Sequence, residues 1–208
     1  MRLLILENFY NQYHRYINLP FEIKKPDLFD TNQRAVMQQH LPNHYDQNMV
    51  DFLAQFDMKL LMIECFYTPP NGGKVPIHTD FFHYETDFVK INQTWGPDDG
   101  KIIWYKASKT FEYTVKPGNN TLEGEDESVV YNDEITVLTA SPKDCEVLHE
   151  ANTNKPSVVN TGILHGTLNP GNAPRWTVCF QPVWDIETEQ YVHWHEAMDI
   201  WKDYIVGE

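Results

Sequence analysis

From residue 59 onward, short apolar segments alternate with clusters of Gly, Pro, Asn and Asp. Short segments of this kind, bounded by turn residues and not separated by helical patterns, are typical of an all-β sandwich or barrel. We therefore predict a mainly β fold. The predicted strands are Lys59–Tyr67, Phe88–Trp95, Lys101–Lys106, Phe111–Val115, Ile135–Ala140, Ser157–Thr161 and Arg175–Val183.

Helical periodicity occurs on the N-terminal side of this region. Met49, Leu53 and Phe56 recur at three- and four-residue spacing, which predicts an amphipathic helix. A shorter helix is predicted over residues 30–41, because Asp and Thr at its start can cap it and Pro42 would end it. The fold class therefore includes N-terminal helices.

The length of 208 residues predicts a single domain. Within it we expect an N-terminal helical flank at 1–58, a β core at 59–183 and a C-terminal extension at 184–208. An apolar stripe predicts a short C-terminal helix over residues 196–206. Residues 119–134 are acidic and weakly patterned, which indicates a long loop that is either a lid or an insertion.

The formal net charge of −14 narrows the classes of partner. So acidic a surface repels phosphate backbones and anionic lipid heads, so we expect no nucleic-acid partner and no membrane. The apolar run at residues 3–6 is too short for a signal-peptide core. Cys65, Cys145 and Cys179 form no CxxC pair and indicate reduced thiols, so a cytoplasmic location is predicted.

The segment His78-Thr79-Asp80 is a candidate metal-binding motif. Residues two apart on an extended segment point to the same side, so this imidazole and this carboxylate can bind one ion. His165 lies 87 residues after His78 and is the candidate third ligand. It is expected at the end of a strand, where it is either this ligand or a hydrogen-bonded core histidine. Two His and one carboxylate on one side of an ion leave the opposite side open, as a ferrous oxygenase requires.

Three more residues are candidates for binding an anion beside the metal. Arg175 lies ten residues after His165, and Thr177 shares its strand face. A guanidinium next to a hydroxyl is suited to a carboxylate, although an ordinary ion pair is the alternative use of such an Arg. Tyr67 ends a predicted strand just before a Gly-Gly turn, and it either presents its hydroxyl to the pocket or packs in the core.

These motifs together resemble the Fe(II)- and 2-oxoglutarate-dependent dioxygenases, and the run from Tyr67 to His78 is similar to the prolyl-4-hydroxylase-like branch. The matching text is PIHTD at 76–80, VNTGILHGTLNP at 159–170 and RWT at 175–177. The resemblance covers residues from about 59 to 183, and the flanks match nothing.

The resemblance implies a double-stranded β-helix, or jelly roll. It implies Fe(II) bound by His78, Asp80 and His165, with 2-oxoglutarate as co-substrate and O₂ as the oxidant. The distal carboxylate of 2-oxoglutarate would pair with Arg175, helped by Thr177 and Tyr67. The implied enzyme is an oxidoreductase that hydroxylates a small-molecule or peptide-type substrate and releases succinate and CO₂.

Two other function classes stay open at this point. A catalytically silent jelly-roll binding or structural protein would keep the fold without turnover, but damaged metal ligands would then be expected. A cupin-type metal protein would not use 2-oxoglutarate, and it would leave Arg175 without a role. Hydrolase and nucleotide-dependent functions lack support, because the chain has no GxSxG, P-loop or GxGxxG motif.

Overall fold

Antiparallel β-sheets dominate the computed structural model, which describes residues 12–27, 32, 36–72, 77–80, 87–115, 118–120, 129–131 and 135–206. The mainly β prediction is confirmed. The strands are β1 His14–Ile17, β2 Met37–Leu41, β3 Lys59–Thr68, β4 Val89–Trp95, β5 Lys101–Ala107, β6 Phe111–Val115, β7 Gly118–Asn120, β8 Val129–Tyr131, β9 Ile135–Thr139, β10 Cys145–Ala151, β11 Ser157–Asn160, β12 His165–Leu168, β13 Arg175–Asp185, β14 Gln190–Tyr191 and β15 Ile205–Val206.

The strands form three sheets among the described residues. The large sheet has the order β15-β1-β11-β4-β13-β3-β2-β8-β7, with β14 added beside β13. A second sheet has the order β10-β5-β12, and β6 pairs with β9 in a third. His78 forms isolated bridges to both His165 and Thr139, so its segment connects the two smaller sheets.

Two α-helices lie in the described residues, α1 at Gln47–Ala54 and α2 at Trp194–Ile200. Short 3-10 helices cover Asn43–Asp46 and Pro142–Asp144. Asp46 caps α1 by accepting a hydrogen bond from the backbone N–H of Met49 at 3.3 Å. Neither α-helix has the length or the apolar character needed to cross a membrane.

The helix positions differ from the prediction. The helix predicted around Met49 is confirmed, although it ends before Phe56. The helix predicted over residues 30–41 is wrong in its second half, because Met37–Leu41 is strand β2; residues 28–31 and 33–35 lie outside the described residues. The C-terminal helix ends at Ile200, and Ile205–Val206 is a strand where the prediction continued the helix.

The predicted segment boundaries stay a prediction, but strands from all three segments join the large sheet. The segment 1–58 contributes β1 and β2, and the segment 184–208 contributes β14 and β15. The acidic loop predicted at 119–134 is wrong in part, because it overlaps β7 and contains β8, and these two strands pair; residues 121–128 and 132–134 lie outside the described residues.

The two faces of the large sheet differ sharply in polarity. Cross-strand partners share a face, so the register of β13 with β3 and β4 assigns each residue to a side. One face is apolar and packs against α1 and α2, with the core residues Ile63, Cys65, Val89, Ile91, Val158, Val178 and Phe180. The other face is buried as well, yet it is mostly polar, with Glu64, Thr68, Lys90, Asn92, Thr94, Ser157, Arg175, Thr177 and Gln181.

The second sheet covers this polar face. Ile102 and Trp104 of β5 pack against Val159 of β11, and the indole N–H of Trp104 donates to the backbone carbonyl of Asn160 at 2.7 Å. Buried polar groups cost free energy unless they find partners, so a buried polar face usually surrounds something polar. The polar interior between the two sheets is therefore the candidate location of a binding or catalytic site.

Candidate metal centre

Two imidazoles meet where the segment of His78 crosses β12. The backbone N–H of His78 donates to the carbonyl of His165 and the N–H of His165 donates to the carbonyl of His78, each at 2.8 Å. This reciprocal pair brings the two rings to a centroid distance of 4.9 Å at 42°. His165 is the first residue of strand β12, whereas we predicted it as the last residue of a strand. The difference arises because β12 continues past Gly166 in pairing with β5.

Asp80 completes the group. Its backbone N–H donates to the carbonyl of Thr161 at 3.2 Å. Its Oδ1 lies 3.4 Å from Nε2 of His78 and 3.3 Å from Nε2 of His165. One ligand atom from each of the three side chains falls within 4.8 Å of the others, so His78, Asp80 and His165 could hold a metal ion. The structure thus brings together the three residues that the sequence selected.

A backbone carbonyl selects the tautomer of the neutral His165 ring. Its Nδ1 lies 2.9 Å from the carbonyl oxygen of Ile163, which can only accept a hydrogen bond. The proton of the neutral ring is therefore on Nδ1, and Nε2 has a lone pair directed at the centre. Metal-binding histidines commonly use their second nitrogen in this way. The side chains of His78 and Asp80 are 18% and 14% exposed, so the group is only partly buried.

Burial and charge act in opposite directions on Asp80. Burial alone would raise the pKa of its carboxyl, but Lys90 and the two histidines outweigh that effect and hold the pKa well below its usual value. The ammonium of Lys90 lies 2.6 Å from Oδ2 of Asp80 and 2.6 Å from Oε2 of Glu64. The carboxylate therefore stays ionised at neutral pH, as a metal ligand must be.

Lys90 and Glu64 were not among the residues predicted for the site. Both project from the polar face of the large sheet, and the amide of Gln38 donates to Oε1 of Glu64 at 2.7 Å. A usable signal was present, since each charged residue lies in a predicted strand between apolar neighbours. A charged residue at a buried strand position requires a partner, and here the partner is a metal-ligand candidate.

Arg175 and Thr177 lie together on the polar face. The guanidinium donates to the hydroxyl of Thr94 at 3.3 Å, and that hydroxyl lies 3.0 Å from the hydroxyl of Thr177 and 2.6 Å from that of Thr153. Burial lowers the pKa of Arg175 to about 10. Among the described residues its Nε has no hydrogen-bond partner and no carboxylate forms an ion pair with it. Arg175 is thus a buried cation suited to an anion.

Gly96 and Gly100 pack closely against Arg175. A Cβ at Gly96 would lie 3.0 Å from the Cα of Arg175, and a Cβ at Gly100 would lie 3.2 Å from its Cδ. The turn between β4 and β5 therefore approaches the side chain so closely that a Cβ at either position would require a small shift. This packing fixes the stem of Arg175 on the polar face.

Tyr67 is separated from the other co-substrate candidates. Its register partner on β13 is Trp176, and the two rings pack edge to face at 5.4 Å. Adjacent residues of a strand point to opposite faces, so Tyr67 and Trp176 lie on the side away from Arg175 and Thr177. Tyr67 is fully buried there, in agreement with the core alternative raised by the sequence.

Comparisons with known proteins add little. No family model matches the chain, and no curated protein matches it. Among solved structures, the chain aligns with the X-ray structure of E. coli ycfD at 12% identity and a TM-score of 0.36. The alignment covers 81% of this chain and 41% of that one, so the chain spans about two-fifths of the length of its match. Neither a family nor an activity follows from a likeness at this level.

Proposed function

We propose that the protein is an Fe(II)- and 2-oxoglutarate-dependent oxygenase that hydroxylates a small-molecule or peptide-type substrate. The observation that carries the proposal is the convergence of His78, Asp80 and His165 within 4.8 Å. Two imidazoles and one carboxylate on one side of an ion are the donor set of non-haem ferrous oxygenases. Some catalytic Zn(II) sites also use two His and one carboxylate, so the proposal of Fe(II) rests as well on the buried Arg175, a suitable partner for 2-oxoglutarate.

The sheet order supports a double-stranded β-helix within this proposal. In the large sheet, β3 and β4 flank β13, and β11 lies beyond β4, so strands from early and late in the chain alternate. In the second sheet, β5 lies between β10 and β12 in the same interleaved manner. Two facing antiparallel sheets built by such long-range connections are the pattern of a jelly roll.

Arg175 is the proposed anchor for 2-oxoglutarate. A buried guanidinium with a free Nε and no described carboxylate partner fits the distal carboxylate of a dicarboxylic keto acid. Thr177 and Thr94 place hydroxyls on the same face and can add hydrogen bonds. Lys90 is less suited to this task, because Asp80 and Glu64 already neutralise its charge.

The residues of the candidate site have distinct roles in the proposed reaction. Iron and 2-oxoglutarate, when bound, supply the oxidising chemistry, in which O₂ is consumed, succinate and CO₂ are released and the substrate gains one oxygen atom. His78, Asp80 and His165 hold the ion from one side and leave the other side open. Arg175 orients the co-substrate, and the second sheet covers the polar face on which Arg175 lies.

Succinate formation tests the proposal. Protein loaded with Fe(II) and supplied with 2-oxoglutarate and air should form succinate in excess of a metal-free control, with or without a prime substrate. Asp80→Ala should lose this activity, because it removes the only carboxylate ligand of the group. A protein that binds Fe(II) but forms no succinate across a screen of small-molecule and peptide substrates would exclude the oxygenase and leave a binding protein.

A further inference from the structure

The two carboxylate oxygens of Asp80 have different surroundings. Oδ1 faces the metal-binding nitrogens, at 3.4 Å from Nε2 of His78 and 3.3 Å from Nε2 of His165. Oδ2 faces away from them and lies 2.6 Å from Nζ of Lys90. An ion bound by both imidazoles therefore meets one oxygen of Asp80, while the ammonium group occupies the other.

Lys90 is itself fixed by the neighbouring strands. Its Nζ lies 2.6 Å from Oε2 of Glu64, and Oε1 of Glu64 accepts a hydrogen bond from the amide of Gln38 at 2.7 Å. The side chains of Lys90 and Glu64 are only 4% and 8% exposed. If Lys90 turned away from Asp80 it would leave buried charges uncompensated, which is strongly unfavourable. A connected row of side chains thus runs from β2 through β3 and β4 to the candidate metal centre.

We propose that Lys90 is a positioning residue that restricts Asp80 to binding the metal through one oxygen. The inference rests on the proposed metal centre. A carboxylate that is free on both oxygens can bind an ion through both, and it then occupies two coordination positions. An octahedral ion has about six positions, so one-oxygen binding by Asp80 leaves about three open where two-oxygen binding would leave about two. Lys90 therefore preserves the position that a third exogenous ligand needs.

Counting the water molecules bound to Mn(II) tests this inference without turnover. Mn(II) is the probe, and the count comes from the broadening of its electron paramagnetic resonance lines in water enriched in oxygen-17. The test variant is the double substitution Glu64→Gln with Lys90→Met, which removes one charge of each sign and leaves the net charge unchanged. Its matched control is Glu64→Gln alone, which keeps the contact between Lys90 and Asp80.

The double variant should bind one water fewer than the wild-type protein, and Glu64→Gln should bind the same number as the wild type. Equal counts in all three proteins would overturn the inference. Loss of Mn(II) binding by a folded double variant would overturn it too, because a carboxylate released from Lys90 should bind at least as firmly. A wild-type protein that binds no Mn(II) or Fe(II) would instead refute the metal centre and the proposed function.

A second measurement needs no substitution and covers the case in which the double variant does not fold. Metal-minus-apo infrared difference spectra of wild-type protein carrying isotope-labelled aspartate report the symmetric and antisymmetric carboxylate stretches. One-oxygen binding should separate the two bands widely, and two-oxygen binding should bring them close together. Closely spaced bands for the metal-bound aspartate would refute a positioning role for Lys90.

Discussion

Two cations are buried on the polar face of the large sheet, and their partners differ. Lys90 contacts both Asp80 and Glu64 at 2.6 Å, so its charge is compensated within the protein. Arg175 has a hydroxyl partner in Thr94 but no carboxylate among the described residues. A buried charge without a counter-charge reduces stability, so Arg175 is a residue retained at a cost in folding free energy.

Replacing Arg175 with Met should therefore stabilise the protein in the absence of ligand. The folded-state pKa of about 10 lies below the ordinary value of 12.5, so folding disfavours the charged form. That cost is fully present below about pH 10 and disappears above the unfolded value. At neutral pH we expect Arg175→Met to raise the free energy of unfolding by roughly 1–3 kcal/mol, measured by urea denaturation of metal-free protein.

The same variant should lose its response to 2-oxoglutarate. Saturating co-substrate should raise the melting temperature of the metal-loaded wild-type protein, because a ligand that binds only the folded state stabilises it. Arg175→Met should show a much smaller increase while binding the metal normally. Lys101→Met is a matched control, because it removes a half-exposed Lys that is paired with Glu150. An unchanged ligand-induced shift in Arg175→Met would refute the anchor assignment.

Residues of the candidate centre were predictable to different degrees. His78 and Asp80 are two positions apart on an extended segment, so their shared direction follows from strand geometry alone. The pairing of His78 with His165 joins two segments 87 residues apart in the chain. Strand geometry could not predict this pairing, and His165 was a candidate ligand only through its sequence motif. The face of Tyr67 depended on its register with β13, which the sequence does not specify.

At the scale of elements, Asn169 connects the β12–β13 turn to the end of β3. Its side-chain amide donates to the carbonyls of Pro69 at 2.9 Å and Ala173 at 3.1 Å, with a longer contact to Thr68 at 3.4 Å. The residue is buried and lies six positions before Arg175. The Asn169 side chain thus links the turn that leads into the proposed anchor to the end of β3, beside a backbone hydrogen bond from Asn71 to Gly171 at 2.7 Å.

Asn169→Asp should destabilise the protein, because a carboxylate has the same shape but cannot donate these hydrogen bonds. The expected loss is roughly 1–3 kcal/mol in the free energy of unfolding, measured by thermal or urea denaturation. Asn18→Asp makes the same change of charge at an exposed position and should have little effect. Equal stabilities of the two variants would show that the amide does not hold the turn.

The sequence predicted β3 and β13 well but missed β2 and β10. Most positions of β3 and nearly all of those of β13 are buried, so their apolar character identified them. β2 reads MQQHL, which resembles a helix locally, and it is a strand because it pairs with β3. β10 was missed because it is largely exposed and its register shifts between Val147 and His149, which breaks the alternation.

At the scale of the whole molecule, the protein combines a net charge of −14 with cations buried on an inner sheet face. The overall field opposes the approach of an anion, and the local field of Arg175 attracts one after entry. Added salt weakens the long-range repulsion between the acidic surface and an anion before it weakens the buried contact, because the Debye length is about 10 Å at 0.1 M ionic strength. The two effects can therefore be separated by ionic strength.

The association rate of 2-oxoglutarate should rise with added salt. Screening reduces the repulsion between the acidic surface and the dianion, while the buried contact with Arg175 is screened less. Stopped-flow absorbance of the anaerobic Fe(II)-loaded protein between low and moderate salt measures this rate. A rate that falls with salt would indicate an attractive entrance and would contradict the expected dominance of the net charge.

In the proposed oxygenase, His78, Asp80 and His165 hold Fe(II) from one side and leave open positions at which 2-oxoglutarate can chelate the ion. Anaerobic addition of 2-oxoglutarate to the Fe(II)-loaded protein tests it most directly, because chelation of ferrous iron by the keto acid gives a weak visible charge-transfer band. We predict this band in the wild-type protein and its absence in Asp80→Ala. A wild-type protein with bound Fe(II) and no such band, or an unchanged band in Asp80→Ala, would contradict the claim.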